Sequence, residues 1–248
     1  VVWSKILEKK SFSLSQKNLF FLLFLLNPLL GPGSIIATPD VPLVFFWSLG
    51  YLCFLNALQS NSLKWFAFLG ASLGLGFCSK YHIVLFVLSG LTYLVFSKKI
   101  KNLSFLGICL TIFLGLVFSF PVLYWNYQND WISFKFQLNH GLGRLDYDWL
   151  WTISFILGQI FILGPLAFKQ FIKNFSSKSS FVFGITQFLF FLCSSFKGVV
   201  EANWPITSHM HANESISKNL LPAQIKKIIF YWLFIYGLAL VVFFSPLQ

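Results

Sequence analysis

The side chains that could do chemistry in this chain fall in four short runs. The first is Ala37-Thr38-Pro39-Asp40-Val41-Pro42, an aspartate fenced by prolines between apolar stretches. A carboxylate there is costly unless it lies in a membrane-surface loop or a polar cavity, which makes Asp40 a functional candidate. The plain alternative is a helix N-cap, with Pro42 at an early helical position. The second run is Cys78-Ser79-Lys80-Tyr81-His82. Lys80 has no acidic neighbour in sequence, so its ammonium must snorkel or meet an anion such as a lipid phosphate. His82 could serve as a base or metal ligand, or could cap or pack.

The third run is expected to be a long loop from Pro121 to Arg144, carrying Trp125, Asn126, Asp130, Trp131, Gln137 and His140. Aromatic faces stack on sugar rings, while amides and carboxylates bond sugar hydroxyls. An interfacial aromatic belt would also explain Trp125 and Trp131, but it needs no Asn, Gln and Asp between them. Arg144 offers a two-pronged fork for a phosphate. The fourth run, Glu201-Ala202-Asn203-Trp204-Pro205, could line the same cavity or form a simple loop. Phosphate-cradling glycine loops, HExxH and Cys/His clusters are all missing from the sequence. A divalent metal would suit the chemistry, yet no ligand set stands out. Cys53, Cys78, Cys109 and Cys193 read as small apolar residues within the apolar runs.

The elements that must position these residues are membrane helices. The chain is 57% hydrophobic and 10% charged, with 33 Phe and a mean hydropathy of +0.75. That is more apolar surface than a water-soluble fold hides. Apolar runs predict about 8 spans, near 19–37, 42–58, 64–79, 82–97, 103–125, 150–168, 181–197 and 228–245. The fold class expected is an all-α polytopic membrane protein with one transmembrane domain. Thr207 to Lys218 is too polar to span a bilayer, so 206–227 is expected to be a polar loop holding His209 and His211.

Alternating the spans from a cytoplasmic start gathers Lys5, Lys9, Lys10, Lys17, Lys64, Lys98, Lys99, Lys101, Lys169, Lys173 and Lys178 on one side. The other side receives Lys80, Lys135, Arg144 and Lys197, together with Asp40, Asp130, Asp146, Asp148 and Glu201. This is the positive-inside pattern, and it accounts for the net charge of +11 without nucleic acid. It predicts a multi-pass protein of the inner (cytoplasmic) membrane with its polar chemistry on the extracytoplasmic face. Lys218, Lys226 and Lys227 follow Trp204, where alternation assigns no side.

Four motifs in order now resemble a known family. Thr38-Pro39-Asp40-Val41-Pro42-Leu43 followed by Phe46-Trp47, the glycine-rich run Gly70 to Tyr81, Pro121 to Asn126 with Trp131 to His140, and Glu201 to Pro205 are similar to bacterial members of the dolichyl-phosphate-mannose–protein mannosyltransferase superfamily, glycosyltransferase family 39 and its relatives. The resemblance covers about residues 19–205. It implies a GT-C-type transmembrane helix bundle with an outward-facing cavity. It implies a polyprenyl-phosphate-linked sugar as donor and an envelope protein, lipid A or other glycolipid as acceptor, all within the lipid bilayer. Asp40 would match the family's second acidic position and Lys80 a position suited to the lipid phosphate. Tyr81, His82, Trp125, Asn126, Asp130, Trp131, Gln137, His140, Glu201, Asn203 and Trp204 would contact sugar or acceptor, with Arg144 as a second phosphate contact. The family's first outer loop and its principal base have no counterpart after Val1. Two alternatives stay open beside a glycosyltransferase: a non-catalytic remnant, and a transporter or flippase of lipid-linked sugars.

Overall fold

A computed structural model of the chain describes residues 1–100, 103–142, 147–174 and 178–243. Their regular structure is entirely helical. Helix α1 (Val2–Lys9) turns into α2 (Leu14–Leu26), which starts at a reciprocal Ser13/Gln16 capping box. The expected 19–37 span stops here at half its length. The Asn27 N–H donates the last helical bond to the Leu23 carbonyl, Pro28 cannot donate onward, and only a short 3-10 turn (Pro32–Ile35) follows. Helix α3 (Asp40–Ser60) ends at Asn61 in the left-handed region, with φ of 52°. Helices α4 (Leu63–Ser79) and α5 (Val84–Phe96) form a hairpin around the 3-10 turn Tyr81–Ile83.

Helix α6 (Phe105–Gln128) is capped by Ser104 and contains Pro121. The loop expected from Pro121 is therefore helical as far as Gln128, because the long apolar run carries the helix through the proline. A turn at Asp130 and Trp131, both with positive φ, leads to α7 (Ile132–Leu142). Helices α8 (Trp149–Leu163) and α9 (Pro165–Lys173) replace the expected straight span 150–168. They meet at 97° where Gly164, with φ of 88°, precedes Pro165. Helix α10 (Ser179–Ser194), α11 (Ile206–Ser217) and α12 (Pro222–Phe243) complete the chain.

Each expected span thus overlaps a helix, the 19–37 span only in its first half, but far fewer are long enough to cross a membrane. Among the described residues α3, α6 and α12 are, and the bent pair α8/α9 would make a fourth. Helices α2, α4, α10 and the segment Tyr81–Phe96 are shorter apolar helices. Only 11% of the apolar window of α6 is buried by the protein, against 50% for α3. The side chains that α6 and α12 leave bare, such as Phe113, Leu116, Phe120 and Phe230, suit contact with lipid rather than water. Cys78, Cys109 and Cys193 are exposed on such surfaces, and only Cys53 is buried.

Helix α4 lies between α3 and α6. Its close approach to α6 needs glycine: a Cβ on Gly74 would stand 2.5 Å from the Gly115 carbonyl oxygen. Helix α11 overturns the polar-loop expectation for 206–227. It is a helix enclosed by α2, α3, α9 and α10, and each of its residues is buried. Several of its polar side chains are bonded from elements far away in sequence, while the buried Asn213 amide meets no hydrogen-bond partner among the described residues. His209 Nε2 meets Gln159 Oε1 at 2.7 Å, Trp47 Nε1 donates to His211 Nε2 at 2.9 Å, and Thr207 donates to Gln187. Satisfied in this way, polar groups can occupy a core. His209 and His211 are therefore core residues rather than loop residues. Helix α11 also returns the chain to the basic end of the bundle, where Lys218 Nζ donates to the Lys10 carbonyl and Lys226 and Lys227 open α12. The three lysines that alternation could not assign share the end that holds Lys9 and Lys10.

Candidate active site

The carboxylate of Asp40 is the centre of the site. Asp40 is the first residue of α3, with Pro39 at the N-cap position, and it is 5% exposed. No side-chain cap bond forms there, so the plain capping alternative does not describe it. Its oxygens instead reach across the bundle. Lys80 Nζ donates to Oδ1 at 2.6 Å and Asn203 Nδ2 donates to Oδ2 at 2.6 Å. Lys80 occupies the C-cap of α4, in extended backbone, which releases its side chain from the helix surface toward α3. Asn203 belongs to the turn that precedes α11. The lysine without an acidic neighbour in sequence has one in space. A carboxylate and an ammonium this short of water attract strongly, and the amide occupies the carboxylate's second oxygen.

Around this triple stand the neighbours of Lys80. The Tyr81 hydroxyl lies 2.8 Å from Ser133 Oγ and accepts from Asn126 Nδ2 at 3.3 Å, while Ser133 donates to Asn126 Oδ1. This joins the end of α6 and the start of α7 to the α4–α5 turn. Ser133 was no sequence candidate, since a lone serine after a tryptophan carries no signal without its partners. The His82 ring packs on Phe191 and Trp204, with centroids 5.2 and 5.3 Å away, and its Nδ1 is buried without a hydrogen-bond partner among the described residues. An unsatisfied imidazole nitrogen beside an ion pair is a place for a ligand donor.

Other candidates are less close-knit. Trp125 is half exposed, and Trp131 is exposed and stacks on Phe134 at 5.7 Å. Asp130, Gln137 and Glu201 are exposed and have no part in the Asp40 cluster. His140 lies in α7. Arg144 falls outside the described residues. Among the described residues no group of three or more His, Cys, Asp or Glu side chains could hold a metal.

An apolar groove of about 610 Å³ runs between α3, α4, α5 and α6. Phe77 and Ile83, three residues to either side of Lys80, line one end of it, and Leu94 and Ile100 line the other. The groove is wide enough and apolar enough for hydrocarbon chains, and one of its ends neighbours the turn that carries the cation.

These features define a polytopic helical membrane protein with a buried ion pair next to an apolar groove. Residues 7–125, which include Asp40, Lys80, Tyr81 and Trp125, match the family described as dolichyl-phosphate-mannose-protein mannosyltransferase. The chain is also 24% identical over 148 residues to the lipid A galacturonosyltransferase RgtD of Rhizobium johnstonii, a match covering 55% of this chain and 29% of that protein. By these matches the chain is similar to glycosyltransferases, and it spans under a third of that galacturonosyltransferase's length. No solved structure matches it.

Proposed function

We propose that the chain acts in an integral-membrane glycosyltransferase that moves a sugar from a polyprenyl-phosphate donor to an envelope acceptor on the extracytoplasmic face, within a GT-C-type bundle. The observation that carries this reading is the Asp40–Lys80–Asn203 triple beside the apolar groove. The groove takes the donor's hydrocarbon chain and the Lys80 ammonium takes its phosphate. In inverting transfer the acceptor oxygen attacks the anomeric carbon from the side opposite the phosphate. The bond from that carbon to the phosphate oxygen breaks, and its electron pair stays on the phosphate. The charge that develops there is met by Lys80, so the cation is worth more in the transition state than before it. As Lys80 turns to the phosphate, Asp40 Oδ1 loses a partner and can accept a proton from the acceptor. Asn203 keeps the carboxylate in place through Oδ2. Tyr81, His82, Asn126 and Trp204 surround the sugar and acceptor. The match to the mannosyltransferase family and to a lipid A galacturonosyltransferase supports hexose chemistry on lipid or protein acceptors.

The test is transfer of radiolabelled sugar from polyprenyl phosphate by the native full-length protein in membranes. Asp40→Asn and Lys80→Ala should each lower the rate by about 10²–10³, the usual effect of deleting one transition-state partner. Undiminished transfer in both would overturn the assignment.

One observation favours a second reading, a transporter or flippase of lipid-linked sugars. Helix α11 places histidines and Glu214 inside the bundle, where polar groups often mark a translocation path. In that case the label would cross the bilayer in proteoliposomes with its glycosidic bond intact.

A further inference from the structure

Helix α9 leaves α8 at 97°, and the corner is pinned by α12. Pro165 has no N–H to offer the Phe161 carbonyl, so the break would orphan the end of α8. Two side chains of α12 repair it. The Tyr231 hydroxyl donates to the Phe161 carbonyl at 2.7 Å, and Trp232 Nε1 donates to the Ile162 carbonyl at 3.0 Å. The Tyr231 ring also lies 3.1 Å from where a Cβ on Gly164 would stand, which keeps that position a glycine. The two faces of α9 then differ. Ala167 and Phe171 are buried in a cluster with Phe181 of α10 and Ala212 and Ile216 of α11. Pro165, Lys169, Ile172 and Lys173 are exposed and fall on one helical stripe. Among the described residues neither lysine has a hydrogen bond or an ion pair, and α9 contains no acidic residue. The stripe belongs to the basic end of the bundle. Asn174, beside Lys173, donates to the Ser215 carbonyl at 3.1 Å, three residues before Lys218 reaches the Lys10 carbonyl.

We propose that α9 lies flat in the membrane surface at the basic end and binds anionic phospholipid. Lys169 and Lys173 take headgroup phosphates, and Ile172 enters the upper acyl region between them. The 15 residues of α8 rise about 22 Å, most of a hydrocarbon core of roughly 30 Å, and a turn of 97° then sends α9 along the membrane plane. A lipid fits the stripe better than a water-soluble protein does. The helix runs on directly from a membrane segment, its one large apolar exposed side chain sits among cations, and its charge is of one sign. Lysine stems bury their carbons at such a surface while the ammonium groups reach the phosphates. An amphipathic helix with cations on its outer face binds an anionic leaflet in this way.

The full-length protein in detergent is titrated with phosphatidylglycerol and, separately, with phosphatidylcholine, and bound lipid is counted by native mass spectrometry. Wild type should prefer phosphatidylglycerol. Lys169→Gln and Lys173→Gln should each weaken phosphatidylglycerol binding about fivefold, the share of one basic residue near an anionic surface, and leave phosphatidylcholine binding unchanged. Ile172→Ser should weaken both lipids alike, because it removes an apolar anchor and no charge. All three positions are exposed, so a thermal midpoint equal to that of wild type should accompany each variant. Lys98→Gln with Lys99→Gln removes two exposed charges between α5 and α6 and serves as the control. An equal or larger loss of phosphatidylglycerol in that control pair would make the attraction a general property of exposed lysines and overturn the assignment to α9. Full lipid preference in the Lys169 and Lys173 variants would overturn it as well, and would leave the stripe to a water-soluble partner.

Discussion

Helix α3 carries a buried ionic cluster toward each end of the bundle, and the two are built differently. At its start Asp40 pairs with Lys80 and Asn203; near its middle Tyr51 supports the Lys10–Glu214–His211 cluster. The Glu214 carboxylate has no exposure, whereas the Asp40 side chain keeps 7% and lies beside the turn that meets the apolar groove. Around His211 stand the rings of Trp3, Tyr51, Trp47 and Phe183. A carboxylate in such a cage cannot change partners without emptying the core. Lys10 and Lys80 both sit at helix C-caps, so the difference lies with the carboxylate: Asp40, beside the turn that meets the groove, can hand its lysine to a ligand. The two clusters use the same charges, and packing makes one a fastening and the other a candidate site.

The sharpest way to break that contrast is to delete each carboxylate. Glu214→Ala strands Lys10 and His211 in the core and should cost about 3–5 kcal/mol of stability, seen as a large fall in the thermal midpoint of the purified protein. Asp40→Ala should cost clearly less, because the Asp40 side chain keeps 7% exposure against none for Glu214; a larger loss from Asp40→Ala than from Glu214→Ala would invert the comparison. A charge swap sharpens it. Asp40→Lys with Lys80→Asp should recover most of the stability lost by either single change, while sugar transfer stays abolished, because the cation no longer faces the phosphate.

The next effect down concerns the wall between the groove and the membrane. Gly74→Leu drives a side chain into Gly115 and Phe118 of α6 and should destabilise by about 1–3 kcal/mol. Restoring the midpoint by a compensating small residue at Phe118 would locate the strain there. The smallest effect belongs to the rim of the site. Ser133→Ala takes one partner from both Tyr81 and Asn126 and should cost about 1 kcal/mol, with a rise in KM for the acceptor larger than any fall in kcat. No change in either kinetic parameter would remove α7 from the site.

Part of the site could be read along the chain. Asp40, Lys80 and Asn203 each announced themselves as polar residues at the borders of apolar runs, and they meet in space. What the spacing could not give was their partnership, since forty residues separate Asp40 from Lys80 and far more separate it from Asn203. Trp125, Gln137 and Glu201 looked equally polar or aromatic at similar borders, yet no bond in the structure joins them to Asp40. Composition alone does not separate a residue that faces inward from its neighbour one helical step away.

Composition together with the long contiguous apolar runs determined that the chain is a bundle of apolar helices, because such runs satisfy their own backbone in lipid as helices. The lysine pattern by itself marked a basic end. Only the tertiary structure decided the fate of residues 206–217. Their polarity argued for a loop, because a sequence displays a side chain's cost of burial and not its partners. Gln159, Gln187, Trp47 and Lys10 supply those partners from four other parts of the chain. A helix that no local rule would bury thereby becomes the centre of the fold.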